Sequence, residues 1–128
     1  MVTSAFLEAA IVGRPVHTLM LPEFEIYQEG VQHFRYLLDV EGLRIFHPGD
    51  SLTLPEVDVD LLLLPVSAPW LKISECIDFA RDVGAPRSLA IHDKIYSDIA
   101  LKMADGHLKR MLGERAQTFV RLQPGEDL

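Results

Sequence analysis

Cysteine is almost missing from this chain: its 128 residues include one, Cys76. A single thiol excludes an internal disulfide and any multi-cysteine zinc knuckle. Long apolar runs are missing too. The longest is Leu61 to Pro65, whereas a bilayer-spanning helix needs about 18 apolar residues in a row. Positive charge is scarce. Twelve Lys and Arg against 19 Asp and Glu leave a net charge of −7. Sequence-independent nucleic-acid binding needs cations against phosphate, and no basic stripe with interleaved aromatics occurs here, so that class is set aside. The N-terminal segment MVTSAFLEAAIVGRP is too short and too weakly basic for a signal peptide. Repeats, low-complexity tracts and linker-like segments are absent as well.

Hydrophobic residues make up 48% of the chain. That is enough for a real core, and the length suits one domain. The expectation is a single domain over residues 1–128, reduced and cytoplasmic. Two hydrophobic periods alternate along it, the pattern of an α/β domain. Ser4 to Val12 reads as a short helix ended by Gly13 and Pro15, and Val16 to Leu21 as a strand stopped by Pro22. Phe34 to Val40 and Leu43 to Phe46 read as a hairpin turning at Glu41-Gly42. Val59 to Val66 is nearly uniformly apolar, as a strand covered on both faces would be. Ile73 to Val83 has helical spacing at Ile73, Cys76, Ile77 and Ala80, and Gly84 and Pro86 close it. Ser88 to Ile91 is a short strand ending in His92-Asp93. Tyr96 to Leu112 is a long helix with Ile99, Met103, Leu108 and Met111 on its expected apolar side. Phe119 to Leu122 is a last strand.

Groups able to carry chemistry are few. No His-x-His, Glu-x-x-His or Cys-x-x-Cys pair occurs, nor a Gly-x-Ser-x-Gly elbow, nor a Gly-rich phosphate loop with a Lys. The five histidines are His17, His33, His47, His92 and His107. Two or three of them, with an Asp, follow directly on strands and could converge on a cation. Asp50, in Pro48-Gly49-Asp50-Ser51, reads either as a turn residue bonded to its own backbone or as a ligand that Gly49 lets a partner approach. His92 is either a buried, satisfied histidine or a ligand. Asp93 suits a helix cap or an acceptor that orients His92. His17, alone in an apolar strand, has a packed core histidine as its plainer reading. Cys76 fits the core stripe of its helix. Trp70 suits a lid or a packing anchor. Ser51 and Ser67 have no base beside them in sequence, which argues against nucleophilic catalysis.

Several segments, in this order and spacing, resemble one family. They are IFHPGDS (45–51), VDLLLLPVSAPW (59–70), IDFAR (77–81), LAIHD (89–93), DGHL (105–108) and RLQPGEDL (121–128). Together they resemble the C-terminal half of metallo-β-lactamase-superfamily hydrolases, closest to the lactonase-like zinc-dependent branch. The likeness is specific from Phe46 onward. It implies half of an αββα sandwich, with a mixed β-sheet and helices on one face. It implies a metal-dependent hydrolase, with hydroxide held by metal attacking an ester, lactone or amide. Zinc is the implied cofactor, with manganese or iron as alternatives. Asp50 matches the carboxylate that bridges two metals, and His92 matches the late-strand histidine. His17 is the candidate for the intermediate histidine, with His33 as its rival. His47 and Asp93 take places behind the ligands.

The signature His-x-His-x-Asp-His of this family does not occur in the sequence. Three ligands divided between two metals fall short of the three protein ligands that one catalytic zinc takes. The expectation is therefore an incomplete hydrolase, with a site that holds metal only if it is completed. It would be completed by a homo-oligomer (a dimer in the simplest case) or by a separate N-terminal half. One sheet of a sandwich would otherwise expose its inner apolar face. The alternative is a non-catalytic protein-interaction module or remnant of the same fold.

Overall fold

The computed structural model describes residues 16–20, as strand backbone, and 35–128. The helix expected at Ser4 to Val12 and the rival ligand His33 lie outside the described residues. Among the described residues, six strands form one sheet in sequence order: β1 (Val16–Met20), β2 (Tyr36–Val40), β3 (Leu43–His47), β4 (Leu61–Pro65), β5 (Arg87–Ile91) and β6 (Thr118–Val120). The first three form an antiparallel meander, and β3 to β6 run parallel. Two helices make the crossovers between parallel strands, α1 (Ile73–Val83) before β5 and α2 (Asp98–Gly113) before β6. The sheet is mixed, as expected.

Local chemistry explains the boundaries. Glu41 and Gly42 turn the β2–β3 hairpin with φ of 55° and 86°, and Gly42 donates its N–H to Asp39. Helix α1 begins where the Glu75 carboxylate accepts the Lys72 N–H at 3.1 Å. It ends at Gly84, whose φ of 72° lets the chain turn left-handed and cap the Ala80 carbonyl. Ser97 caps α2 by accepting the Ala100 N–H.

The core lies between the sheet and the two helices. Leu37, Phe46, Leu62, Leu64 and Phe119 share one sheet face and pack with Cys76, Phe79 and Ala80 of α1 and Leu108 and Leu112 of α2. Arg81 ties the helices together, donating to the Met111 carbonyl at 2.6 Å and to Glu114 at 2.8 Å. One expectation is corrected. Ile99 and Met103 are 74% and 63% exposed, and the buried stripe of α2 is Ala104, Leu108 and Leu112. Five residues of helix rotate about 140° past a whole turn, so Met103 and Leu108 cannot share a face. The other sheet face is covered at its centre, as the uniform apolar run of β4 predicts. Leu38, Leu61 and Leu63 alternate with the helix-facing residues and are only 0–4% exposed. The uniform burial of β4 matches its uniform apolar run. No helix among the described residues is long and apolar enough to cross a membrane.

Candidate metal centre

Because β3, β4 and β5 are parallel neighbours, their C-terminal ends meet at one edge of the sheet. Loops at that edge are where open α/β sheets gather functional groups. Three segments arrive there: His47, which ends β3, with Pro48 to Ser51 after it, Val66 to Ala68 after β4, and His92-Asp93 after β5.

The first loop turns at Gly49, with φ of 68°. Its N–H donates to His47 Nδ1 at 3.0 Å. The buried Ser51 hydroxyl donates to the Pro48 carbonyl at 3.1 Å. These bonds close the turn and leave the Asp50 carboxylate half-exposed at its tip. The parallel pairing of β4 and β5 continues past both strands: Val66 N–H donates to the Ile91 carbonyl and Ser67 N–H to that of His92. Ser67 makes two further bonds to the same residue. Its hydroxyl donates to the His92 carbonyl at 2.5 Å, and its own carbonyl lies 2.7 Å from His92 Nδ1. A carbonyl only accepts, so Nδ1 carries the proton and Nε2 keeps a free lone pair. Nε2 faces Asp50 Oδ1 at 3.8 Å, and both side chains are 44% exposed.

This arrangement suits a cation. An imidazole that donates one N–H to a backbone carbonyl and turns its other nitrogen outward is oriented as metal-ligating histidines are. The nitrogen faces a carboxylate beyond hydrogen-bond distance, so the two present one anionic and one neutral donor to a shared space. His47 is arranged differently. Its Nδ1 is taken by Gly49, so Nε2 bears the hydrogen. Burial, and then the charge that His92 would carry if protonated, lower its affinity for a proton. It is a neutral donor beside the pair.

The structure brings Asp50 and His92 together, with His47 beside them. It does not bring His17 there. The register sets His17 opposite Asp39, whereas His47 pairs with Tyr36 and Tyr36 with Met20. His17 is thus about 10 Å along the strand from the site's edge, and two strands over. Strand identity fixes the spacing of side chains, but pairing decides which end of the sheet they reach. Among the described residues, no group of three His, Cys, Asp or Glu is gathered to hold a metal ion.

Asp93 also departs from expectation. Ser97 caps α2, and the Ser67 carbonyl orients the His92 ring. The Asp93 carboxylate accepts instead from Arg121 Nη1. Arg121, 9% exposed at its side chain, is shared with Asp105, which takes Nη2 at 2.7 Å and Nε at 2.9 Å. The hydrogen bonds it donates to Asp105 outweigh burial and keep the guanidinium charged. Sequence reasoning missed Ser67, Asp105 and Arg121. The signal available for Ser67 was its place after the strand paired with β5. Cys76 is inert: it is fully buried and bonded to the Pro65 carbonyl, and burial pushes its thiol up to about 12. Trp70 is 49% exposed, not a buried anchor. Asp60 braces the sheet, accepting the Arg44 N–H at 2.8 Å.

No family model matches the chain. Protein Rv0786c of Mycobacterium tuberculosis is 35% identical over 97 residues, covering 74% of this chain and 44% of that protein. A solved structure described as a metal-dependent hydrolase, from Parabacteroides distasonis, superposes with a TM-score of 0.62 at 23% identity, over 88% of this chain and 53% of its own. Igni18, a metallo hydrolase from the archaeon Ignicoccus hospitalis, gives 0.63 at 12% identity, over 87% and 51%. A structure described as a zinc-dependent hydrolase of the metallo-β-lactamase superfamily, from Thermotoga maritima, gives 0.49 at 21% identity, over 69% and 52%. The chain spans about half the length of each of these four proteins. Its fold is that of the Parabacteroides distasonis and Ignicoccus hospitalis structures, over about half of each of those chains.

Proposed function

We propose that this chain contributes part of a metal-dependent hydrolase centre, with Asp50 and His92 as ligands to one divalent cation. The observation that carries this is the His92 ring. Its Nδ1 is fixed on the Ser67 carbonyl and its Nε2 faces Asp50 at 3.8 Å. A cation bound there would supply Lewis-acid activation of a carbonyl or a water. Asp50 would bring negative charge, His92 would hold its lone pair outward, and His47 would offer an N–H to a polar group nearby. Zinc fits a carboxylate–imidazole donor set, and manganese and iron accept it too. The chemistry is hydrolysis of an ester, lactone or amide.

Two donors fall short of the three that a catalytic zinc takes. The remaining ligands are proposed to come from a second polypeptide, either another copy of this chain or a separate half bearing the signature histidines. Zinc titration of the purified chain tests the ligands. Asp50→Asn and His92→Gln are each expected to weaken zinc binding at least tenfold while leaving the melting temperature within a few degrees. Unchanged affinity in both variants overturns the assignment. The donor count also favours a second reading, a non-catalytic interaction module of this fold, which predicts no zinc binding at all.

A further inference from the structure

We propose that Arg121 is a positioning residue for His92, holding the turn on which the imidazole stands by clamping its neighbour Asp93. This rests on the reading of His92 as a ligand.

The backbone of His92 has φ of 57°, a left-handed conformation that residues other than glycine adopt at a cost. Its surroundings must therefore determine it from both sides. On the strand side stand three bonds shared with Ser67, two donated by its N–H and hydroxyl and one accepted by its carbonyl. On the other side stands Asp93, whose carboxylate caps no helix and orients no ring. It is bound to the nearly buried Arg121. Arg121 follows β6, and its second partner Asp105 projects from the middle of α2. One guanidinium thus joins the β5–α2 turn, the helix after it and the exit of the last strand. A planar fork with five donors serves two carboxylates at fixed angles, whereas a lysine ammonium on a flexible stem does not fix both. Fixing Asp93 fixes the backbone on the C-terminal side of His92, and with it the direction of Nε2.

The competing explanation is that these ion pairs only fasten α2 to the sheet. The two differ in what happens to the ring. The experiment uses the whole chain with 15N-labelled histidine, comparing wild type, Arg121→Lys and Asp105→Asn. Zinc-free spectra read which nitrogen of His92 carries the proton. Competition with a chromophoric chelator reads zinc affinity, and thermal melts run in parallel. The wild type is expected to show His92 protonated at Nδ1 and His47 at Nε2. In Arg121→Lys, His92 is expected to become a mixture of tautomers and zinc affinity to fall at least tenfold, with His47 unchanged. Asp105→Asn loosens the anchor but leaves the Arg121–Asp93 pair, so a smaller change in the same direction is expected; this variant decides the matter if Arg121→Lys does not fold. An unaltered His92 pattern in the folded variants, whatever their melting temperatures, overturns the proposal. If the wild type binds no zinc, the ligand assignment fails, and the zinc-free spectra still decide whether Arg121 positions the ring.

Discussion

His47 and His92 stand at the same sheet edge, yet their rings are committed in opposite senses. His47 accepts from Gly49 at Nδ1, and protonating that nitrogen would break the bond. Burial and the neighbouring His92 lower its pKa below the usual value of about 6.5. The sign follows from linkage. Over the window between the two values the unfolded chain binds the proton and the folded chain does not. The stability His47 contributes is therefore complete above about pH 6.5 and is lost as pH falls through the folded value. Urea midpoints of wild type and His47→Gln between pH 7 and 5 should show a shallower fall in the variant. Parallel profiles would contradict the assignment. Asp50 and His92 were legible as candidates from the IFHPGDS and LAIHD segments that carry the resemblance; their places near strand ends alone left a turn residue and a buried histidine open. Arg121 was not legible, because its partners Asp93 and Asp105 lie 28 and 16 residues away in sequence. Nothing local marks a long-range ion pair.

At the scale of elements, turn and period chemistry settled most of the outcome. Helix α1 runs from Ile73 to Val83 as its spacing predicts, because its apolar residues recur on one face and Gly84 stops it. A methyl group at Gly84 would meet nothing within 4 Å. Gly84→Ala should therefore cost only the backbone strain of φ 72°, about 1 kcal/mol, seen as a loss of a few degrees in a thermal melt. A larger loss would mean that the helix end is packed more tightly than its surroundings indicate. Helix α2 was legible as a helix but not in its facing. Ile99 and Met103 look like core by type, and only the angular step to Leu108 shows that both stripes cannot be buried. The β2–β3 hairpin was legible from Glu41-Gly42, but the register that carries His17 away from the site depends on pairing with β2.

At the scale of the molecule, the mixed sheet with its helices on one face was legible from the order of strands and helices and the motif string. The burial of β4 on both faces was legible too, from its uniform apolar run. The donor count makes its own prediction. If a second polypeptide completes the site and that polypeptide is another copy, zinc should raise the sedimenting mass of the wild type and leave that of Asp50→Asn unchanged. A zinc-loaded wild type that sediments as a monomer, with no added partner, would place the missing ligands within this chain.

The doubled anchorage of His92 bears on the thermodynamics of recognition. The bonds that continue the β4–β5 ladder through Val66 and Ser67, and those that close the Gly49 turn, form when the chain folds. The conformational entropy of these loops is thus lost in folding, and little remains to be lost on binding. Affinity at this edge should depend on the number of donors presented, with scarcely any cost of ordering them.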